Sequence, residues 1–233
     1  MRVGIIQSNY LPWRGYFDFI ASVDLFIFHD DLQYTKNDWR NRNRIKTDSG
    51  LKWLSVPVSY KHTAQLISDT RIDYSKKWWK NHINQFRENY QSAPCFVEAF
   101  SLINEILCAE IQTLSELNIC LIKKICEYLG IVTPMVMSSE FHPEGKKTER
   151  LISILSKVGA DTYVSGPSAE SYLDKQLLHQ SNIRLEYKTY NYAEYPQQHG
   201  LFENNVTILD LIANCGQDSR LLISSRTNNV IEK

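Results

Sequence analysis

Two apolar runs, RVGIIQ at residues 2–7 and LFIFH at residues 25–29, stand on either side of GYFDFIASV at 15–23, whose rings and aliphatics recur at helical spacing. Short apolar runs bounded by polar residues have the length of strands covered on both faces. Strand, helix and strand in that order call for two parallel strands joined by a crossover, because only antiparallel neighbours can be joined by a tight turn. This unit commits the start of the chain to a layered α/β fold.

The alternation resumes further on. Strands are predicted at 134–138, 161–164 and 183–187, with helices at 147–158, 172–179 and 207–214, the last ended by Gly216. Between the opening unit and this second run, segments 43–47 and 51–58 flank Asp48-Ser49-Gly50 and predict an inserted β-hairpin. Helices at 74–90, 99–107 and 111–129 follow, the first carrying Trp78, Trp79, Ile83, Phe86 and Tyr90 three or four residues apart. The whole predicts one α/β domain over residues 1–233: a mostly parallel sheet with flanking helices, a hairpin inserted at about 43–58 and a helical segment at about 74–130.

With 26 basic and 26 acidic residues the charges cancel, so nothing in the balance calls for a nucleic-acid or membrane-surface partner, and a small-molecule substrate is expected. The four apolar residues at 3–6 are too few for a signal or spanning segment, which predicts a cytoplasmic protein. Cys95, Cys108, Cys120, Cys126 and Cys215 include no CxxC pair and read as buried reduced thiols, not as a disulfide or zinc framework. No GxSxG or HExxH motif supports hydrolase or zinc-enzyme chemistry, and no metal ligand set is predicted.

Ligands of open parallel sheets bind beyond the carboxyl ends of the strands. Four segments are therefore expected to converge: 7–13, 30–43, 138–147 and 165–168. The first holds Gln7, Asn9, Tyr10, Pro12 and Trp13, a rigid aromatic loop with polar tips. The second opens with Asp30 and Asp31, adjacent carboxylates that read either as a solvated turn or as partners of a cation, an arginine or a hydroxyl-rich ligand. Gln33 and Tyr34 follow, and then Lys36, Arg40, Arg42 and Arg44 crowd around Trp39, Asn37, Asn41 and Asn43. Guanidinium forks suit phosphate and rings suit stacking; the alternative is a solvated loop. SGPSAES at 165–171, with Ser165, Gly166 and Ser168, is either an anion-binding turn or a capped turn. His142 in EFHPEGKKTER and His199 in YPQQHG are candidate general acids or bases, or surface residues; His62 and His82 lack such surroundings.

The segments IIQSNYLPWRGYFDFI, DLFIFHDDLQYTKNDWRNRNRIK, KKTERLISILSKVGADTYVSGPSA and EYPQQHGLF resemble the conserved blocks of the WbqC-like proteins, which are associated with bacterial O-antigen and other surface-polysaccharide gene clusters. In layout the opening is also similar to pantothenate synthetase and other HUP-class nucleotidyltransferase-like enzymes, which implies a Rossmann-like sheet. Pro12 or Trp13 and Tyr16 stand where that class has two histidines.

The resemblance implies acyl or aminoacyl transfer to an amino sugar carried on a nucleotide. The acyl group would come from an acid activated by ATP as its adenylate, or from an acyl-CoA or acyl carrier, and Mg²⁺ is compatible with either. It implies positive charge from Lys36, Arg40, Arg42, Lys147 and Arg150, and a base among His199, His142 and Asp30. Tyr10, Trp13 and Trp39 would stack on sugar and base, and Gln7, Gln33, Asp30 and Asp31 would bind hydroxyls or amides. A non-catalytic nucleotide-sugar-binding module or partner subunit, and a glycosyltransferase, are the alternatives.

Overall fold

The computed structural model describes residues 1–232. From the amino terminus the chain forms β1 (Arg2–Ile6), α1 (Arg14–Ala21) and β2 (Leu25–Phe28). An excursion follows through β3 (Arg42–Thr47), β4 (Gly50–Ser55), β5 (Val58–Ser59), β6 (Arg71–Ile72), α2 (Trp78–Tyr90), α3 (Phe96–Cys108) and α4 (Leu114–Leu129). The chain then returns through β7 (Met135–Met137), α5 (Thr148–Lys157), β8 (Thr162–Ser165), α6 (Lys175–Gln180), β9 (Arg184–Tyr187), α7 (Ile208–Cys215) and β10 (Val230–Ile231).

The main sheet has the order β10-β9-β8-β1-β2-β7 and is parallel except for β10, which runs antiparallel to β9. The chain thus builds outward from β1 through β2 to β7, crosses back, and builds outward again through β8 and β9. Strand order reverses between β1 and β8, and in doubly wound sheets this reversal opens a crevice beyond the carboxyl ends of the strands.

Strand alternation sorts the core into two layers. Val3, Ile5 and Ile27 pack with Leu151, Ile154 and Leu155 of α5 and Leu178 of α6. Phe26, Phe28 and Val164 pack on the opposite face with Phe17, Phe19 and Ile20 of α1 and with the helices of the excursion. Each fully buried Phe stabilises the fold by roughly 1.5–3 kcal/mol over an exposed one. Gly4 is part of this fit: a Cβ there would lie 2.3 Å from Phe19 Cε1, so glycine lets α1 approach the sheet.

The mixed α/β architecture, the mostly parallel sheet and the antiparallel hairpin agree with the sequence pattern. The differences have local causes. In the hairpin, Gly50 pairs with Thr47, leaving a two-residue turn of Asp48 and Ser49 where three residues were expected. α4 starts at Leu114, not at residue 111, because Thr113 and Glu116 form a capping box. The helix expected at 172–179 shrinks to α6, capped by the Asp174 side chain that accepts from Leu177 N, after a 3-10 turn at Pro167–Ser171. All five cysteines are free, but only Cys126 is buried and Cys108 and Cys120 are exposed. Among the described residues no helix is long and apolar enough to cross a membrane.

Candidate functional site

The loop after β1 is held by a buried polar network. Ser8 N donates to Asp30 Oδ1 at 2.7 Å, and Ser115 of α4 donates its hydroxyl to Asp30 Oδ2. Asn118, one turn further along α4, donates to Ser8 Oγ at 3.2 Å and to the Arg40 carbonyl at 2.8 Å. Tyr10 N donates to the Trp39 carbonyl at 3.0 Å, and the Tyr10 hydroxyl meets His82 Nδ1 of α2 at 2.9 Å. Asn43 donates to the Leu11 carbonyl at 2.7 Å.

Two expected ligand-facing residues therefore turn inward. Tyr10 is fully buried, so it is an anchor and not a stacking platform. Asp30 is also fully buried with both oxygens engaged, which removes it as a base facing substrate. A buried carboxylate needs such partners, and here they fix the loop geometry.

Asp31 takes the opposite direction. It accepts from Arg150 of α5 and from the Ser138 hydroxyl just past β7, and Arg150 also donates to the Pro143 carbonyl at 2.9 Å. His29 Nε2 stands 3.7 Å from Asp31 Oδ1, is buried and, among the described residues, has no hydrogen-bond partner. Burial pulls the His29 imidazole down to about 4, against the raising field of Asp31 and with a further lowering from Arg150, so it is neutral at pH 7. Because Asp30 faces α4 and Asp31 faces α5, the pair does not converge on one cation. No group of three or more His, Cys, Asp or Glu among the described residues is arranged to hold a metal.

An open cleft of about 200 Å³ lies beside this network, lined by Asn9, Pro12, Trp13, Trp39, Asn43 and Asn205. Trp13 packs edge-on against Tyr190 and Tyr192, with centroids at 5.1 and 5.9 Å. Tyr192 in turn donates to Asp18, the buried partner of Lys188 at 2.7 Å. A Cβ on Gly15 would fall 2.3 Å from Trp13 Cζ2, so the indole lies directly over that glycine. Arg40 reaches Asn9 Oδ1 at 3.3 Å and Asp38 at 3.5 Å. A larger hollow of about 600 Å³, between α6 and the β9–β10 edge, lies away from the strand reversal and gathers none of these residues.

The remaining candidates are scattered. Asn41 donates its amide to the Val56 carbonyl while its Oδ1 is buried without a partner among the described residues, and Gln33 is exposed, bridged to Leu66. Lys147 is exposed at the start of α5, while Ser165 is buried and Ser168 is exposed at the start of the 3-10 turn. His199 Nε2 is 2.8 Å from the Asn89 carbonyl at the end of α2, whereas the exposed His142 sits in the left-handed region past β7. The two histidines do not share a site. Gln7 follows β1 directly, and among the described residues its side-chain amide makes no hydrogen bond. Asn205, Ser115 and Asn118 escaped sequence reasoning because each is brought in by an element distant in sequence, Trp53 because it reads as one residue of a hairpin strand, and His29 because it reads as the end of an apolar run; Ser138 opens one of the expected segments.

These features define a doubly wound α/β protein whose strand reversal is flanked by an aromatic, amide-lined cleft on one layer and an Asp–Arg–His cluster on the other. The chain belongs to the WbqC-like protein family, whose family model matches residues 7–221. It is 47% identical over 221 residues to the uncharacterized protein Rv1507c of Mycobacterium tuberculosis (strain ATCC 25618 / H37Rv), covering 94% of this chain and 95% of that one. No solved structure matches. Family membership points to a role in polysaccharide-related biosynthesis.

Proposed function

We propose that the protein attaches an acyl or aminoacyl group to the amine of a nucleotide-linked amino sugar during surface-polysaccharide precursor synthesis. The observation that carries this reading is the cleft between Trp13 and Trp39, with Asn9 and Asn205 at its rim, beside Arg40 and the strand reversal. Indole faces suit the C–H faces of a sugar ring, carboxamides suit its hydroxyls, and a guanidinium suits a phosphate. At about 200 Å³ the cleft is below the usual range for a whole ligand and fits one ring of a larger molecule.

In the reaction the sugar amine attacks the acyl carbonyl carbon. A C–N bond forms, and the C–O bond of an acyl phosphate or adenylate, or the C–S bond of a thioester, breaks. The amine proton needs an acceptor. Asp30 has both oxygens engaged, which leaves His29, faced by Asp31 but held down to about 4 by burial, and His199, whose Nε2 donates to the Asn89 carbonyl and leaves Nδ1 as an acceptor.

The test is to incubate the purified protein with UDP-, dTDP- and GDP-linked amino sugars, adding either an acyl-CoA or ATP with a carboxylic or amino acid, and to read the products by mass spectrometry. An amide product for one pair is expected; no amide for any pair overturns the reading. The dispersal of His142 and His199 favours a second reading, a nucleotide-sugar-binding module, which predicts calorimetric binding without turnover.

A further inference from the structure

Six arginines of the chain are buried or half-buried: Arg2, Arg14, Arg40, Arg42, Arg44 and Arg150. Four have acceptors: Arg2 on Glu186, Arg14 on Asn204 and the Ala193 carbonyl, Arg40 on Asn9 and Asp38, and Arg150 on Asp31 and the Pro143 carbonyl. Arg42 and Arg44 have none. Among the described residues neither guanidinium makes a side-chain hydrogen bond or an ion pair, and the Nε of each is buried without a partner. Half-buried guanidinium groups are normally paired, because desolvating their N–H donors without an acceptor is costly.

What surrounds them instead is aromatic. Register in the hairpin sets Arg44 opposite Trp53, and Arg42 lies two residues away on the same face. The Arg42 guanidinium is 4.2 Å from the Trp53 ring centroid, and that of Arg44 is 5.4 Å from Trp53 and 5.7 Å from Trp39. The two indoles are 5.5 Å apart, tilted by 43°, and each is 42% exposed, which is unusual for so large an apolar side chain. Trp39 also lines the cleft that the sugar ring fits, so the pair continues outward from that cleft.

We propose that this hairpin face is a second subsite, which takes the nucleoside diphosphate part of the substrate. The base stacks against the Trp39–Trp53 pair and the phosphates supply the acceptors that Arg42 and Arg44 lack, leaving the Trp13–Trp39 cleft to the sugar. Rings without paired carboxylates and guanidinium groups without acceptors fit a ligand that is flat and anionic at once. The inference rests on the nucleotide-sugar reading and assigns a place to each part of the substrate.

Isothermal titration of the full-length protein with UDP, dTDP and GDP, and with uridine, inorganic pyrophosphate and UDP-glucosamine, tests it. At least one nucleoside diphosphate should bind more tightly than uridine or pyrophosphate. Trp53→Ala and Arg44→Gln should weaken it roughly tenfold or more, and Trp53→Phe should recover most of the loss. Melting curves matching wild type confirm that the variants fold, and Arg42→Gln is a second probe should Arg44→Gln melt early. Unchanged nucleotide affinity in folded variants overturns the subsite, and continued binding of UDP-glucosamine then leaves the functional reading standing. If wild type binds none of the nucleotides or the nucleotide sugar, the functional reading falls and takes the subsite with it.

Discussion

Asp30 and Asp31 are adjacent in sequence and serve opposite layers: Asp30 binds Ser115 of α4, and Asp31 binds Arg150 of α5. Alternation at the end of β2 sends consecutive side chains to the two faces, so a dipeptide that reads as one site is two. Asp30→Asn, which changes a buried carboxylate that accepts from Ser8 N, is expected to lower stability by roughly 1–3 kcal/mol. Asp31→Asn, at a partly exposed pair, should cost less stability and more ligand affinity. Denaturant melts and calorimetry on the two variants separate these effects, and equal stability losses would refute the division.

His29 and His82 are both held down to about 4 by burial, from an ordinary 6.5. Between those values the unfolded chain binds protons that the folded chain refuses, so stability is full above 6.5 and falls as pH drops toward 4. The loss should reach a few kcal/mol for the two together, at order-of-magnitude level. Melting temperatures measured between pH 7 and pH 4.5 should decline, and His82→Gln should flatten the slope; a slope unchanged in both His29→Gln and His82→Gln would contradict this account.

The Tyr10 hydroxyl and His82 Nδ1 are each other's partners in a buried setting. Tyr10→Phe removes one partner and strands the other, at a cost of roughly 1–3 kcal/mol. Because this contact ties the loop after β1 to α2, hydrogen exchange at residues 8–11 should quicken in the variant. Protection equal to wild type would show that the remaining contacts suffice.

Gly15→Ala places a methyl group where the Trp13 indole lies. The ring must shift, so the cleft should change while the core of α1, built by Phe17, Phe19 and Ile20, persists. Far-ultraviolet dichroism like that of wild type, with altered tryptophan emission and weaker ligand binding, is the expected combination.

Arg40→Ala should weaken binding of the nucleotide-linked sugar severely, since Arg40 both holds Asn9 at the cleft and offers charge beside it. An unchanged Michaelis constant in a working assay would remove Arg40 from the site.

The layered fold was legible because periodicity is local: apolar runs of four to six residues and helical repeats of Phe, Ile and Leu specify strands and helices wherever they lie. β10 was not legible, since its two residues carry no pattern of their own and pair only because Val230 reaches Tyr187. Within the site, Trp13, Trp39 and Asn9 were readable as ring and amide chemistry in a loop, and the structure gathers them around one cleft. Asn205 was not, because it is brought there by a loop almost two hundred residues downstream of Asn9. Tyr10 was misread for a related reason: its burial depends on His82, whose own surroundings gave no signal.

The Ser8–Asn118 contact spans 110 residues. The loop after the first strand is thus completed by a helix made much later, whereas β1 and β2 pair across a connection of fewer than twenty residues between them. Closing long loops slows folding more than closing short ones. On refolding, the β1–α1–β2 unit should form before ligand competence does, whereas the pairings of β1 with β8 and of β2 with β7 span distances about as long as the Ser8–Asn118 contact or longer and should form no earlier than it. A preparation that has recovered only this local unit would then hold molecules with early strand and helix content and no working cleft, so specific binding per molecule, not the first secondary structure to return, is the measure of intact protein.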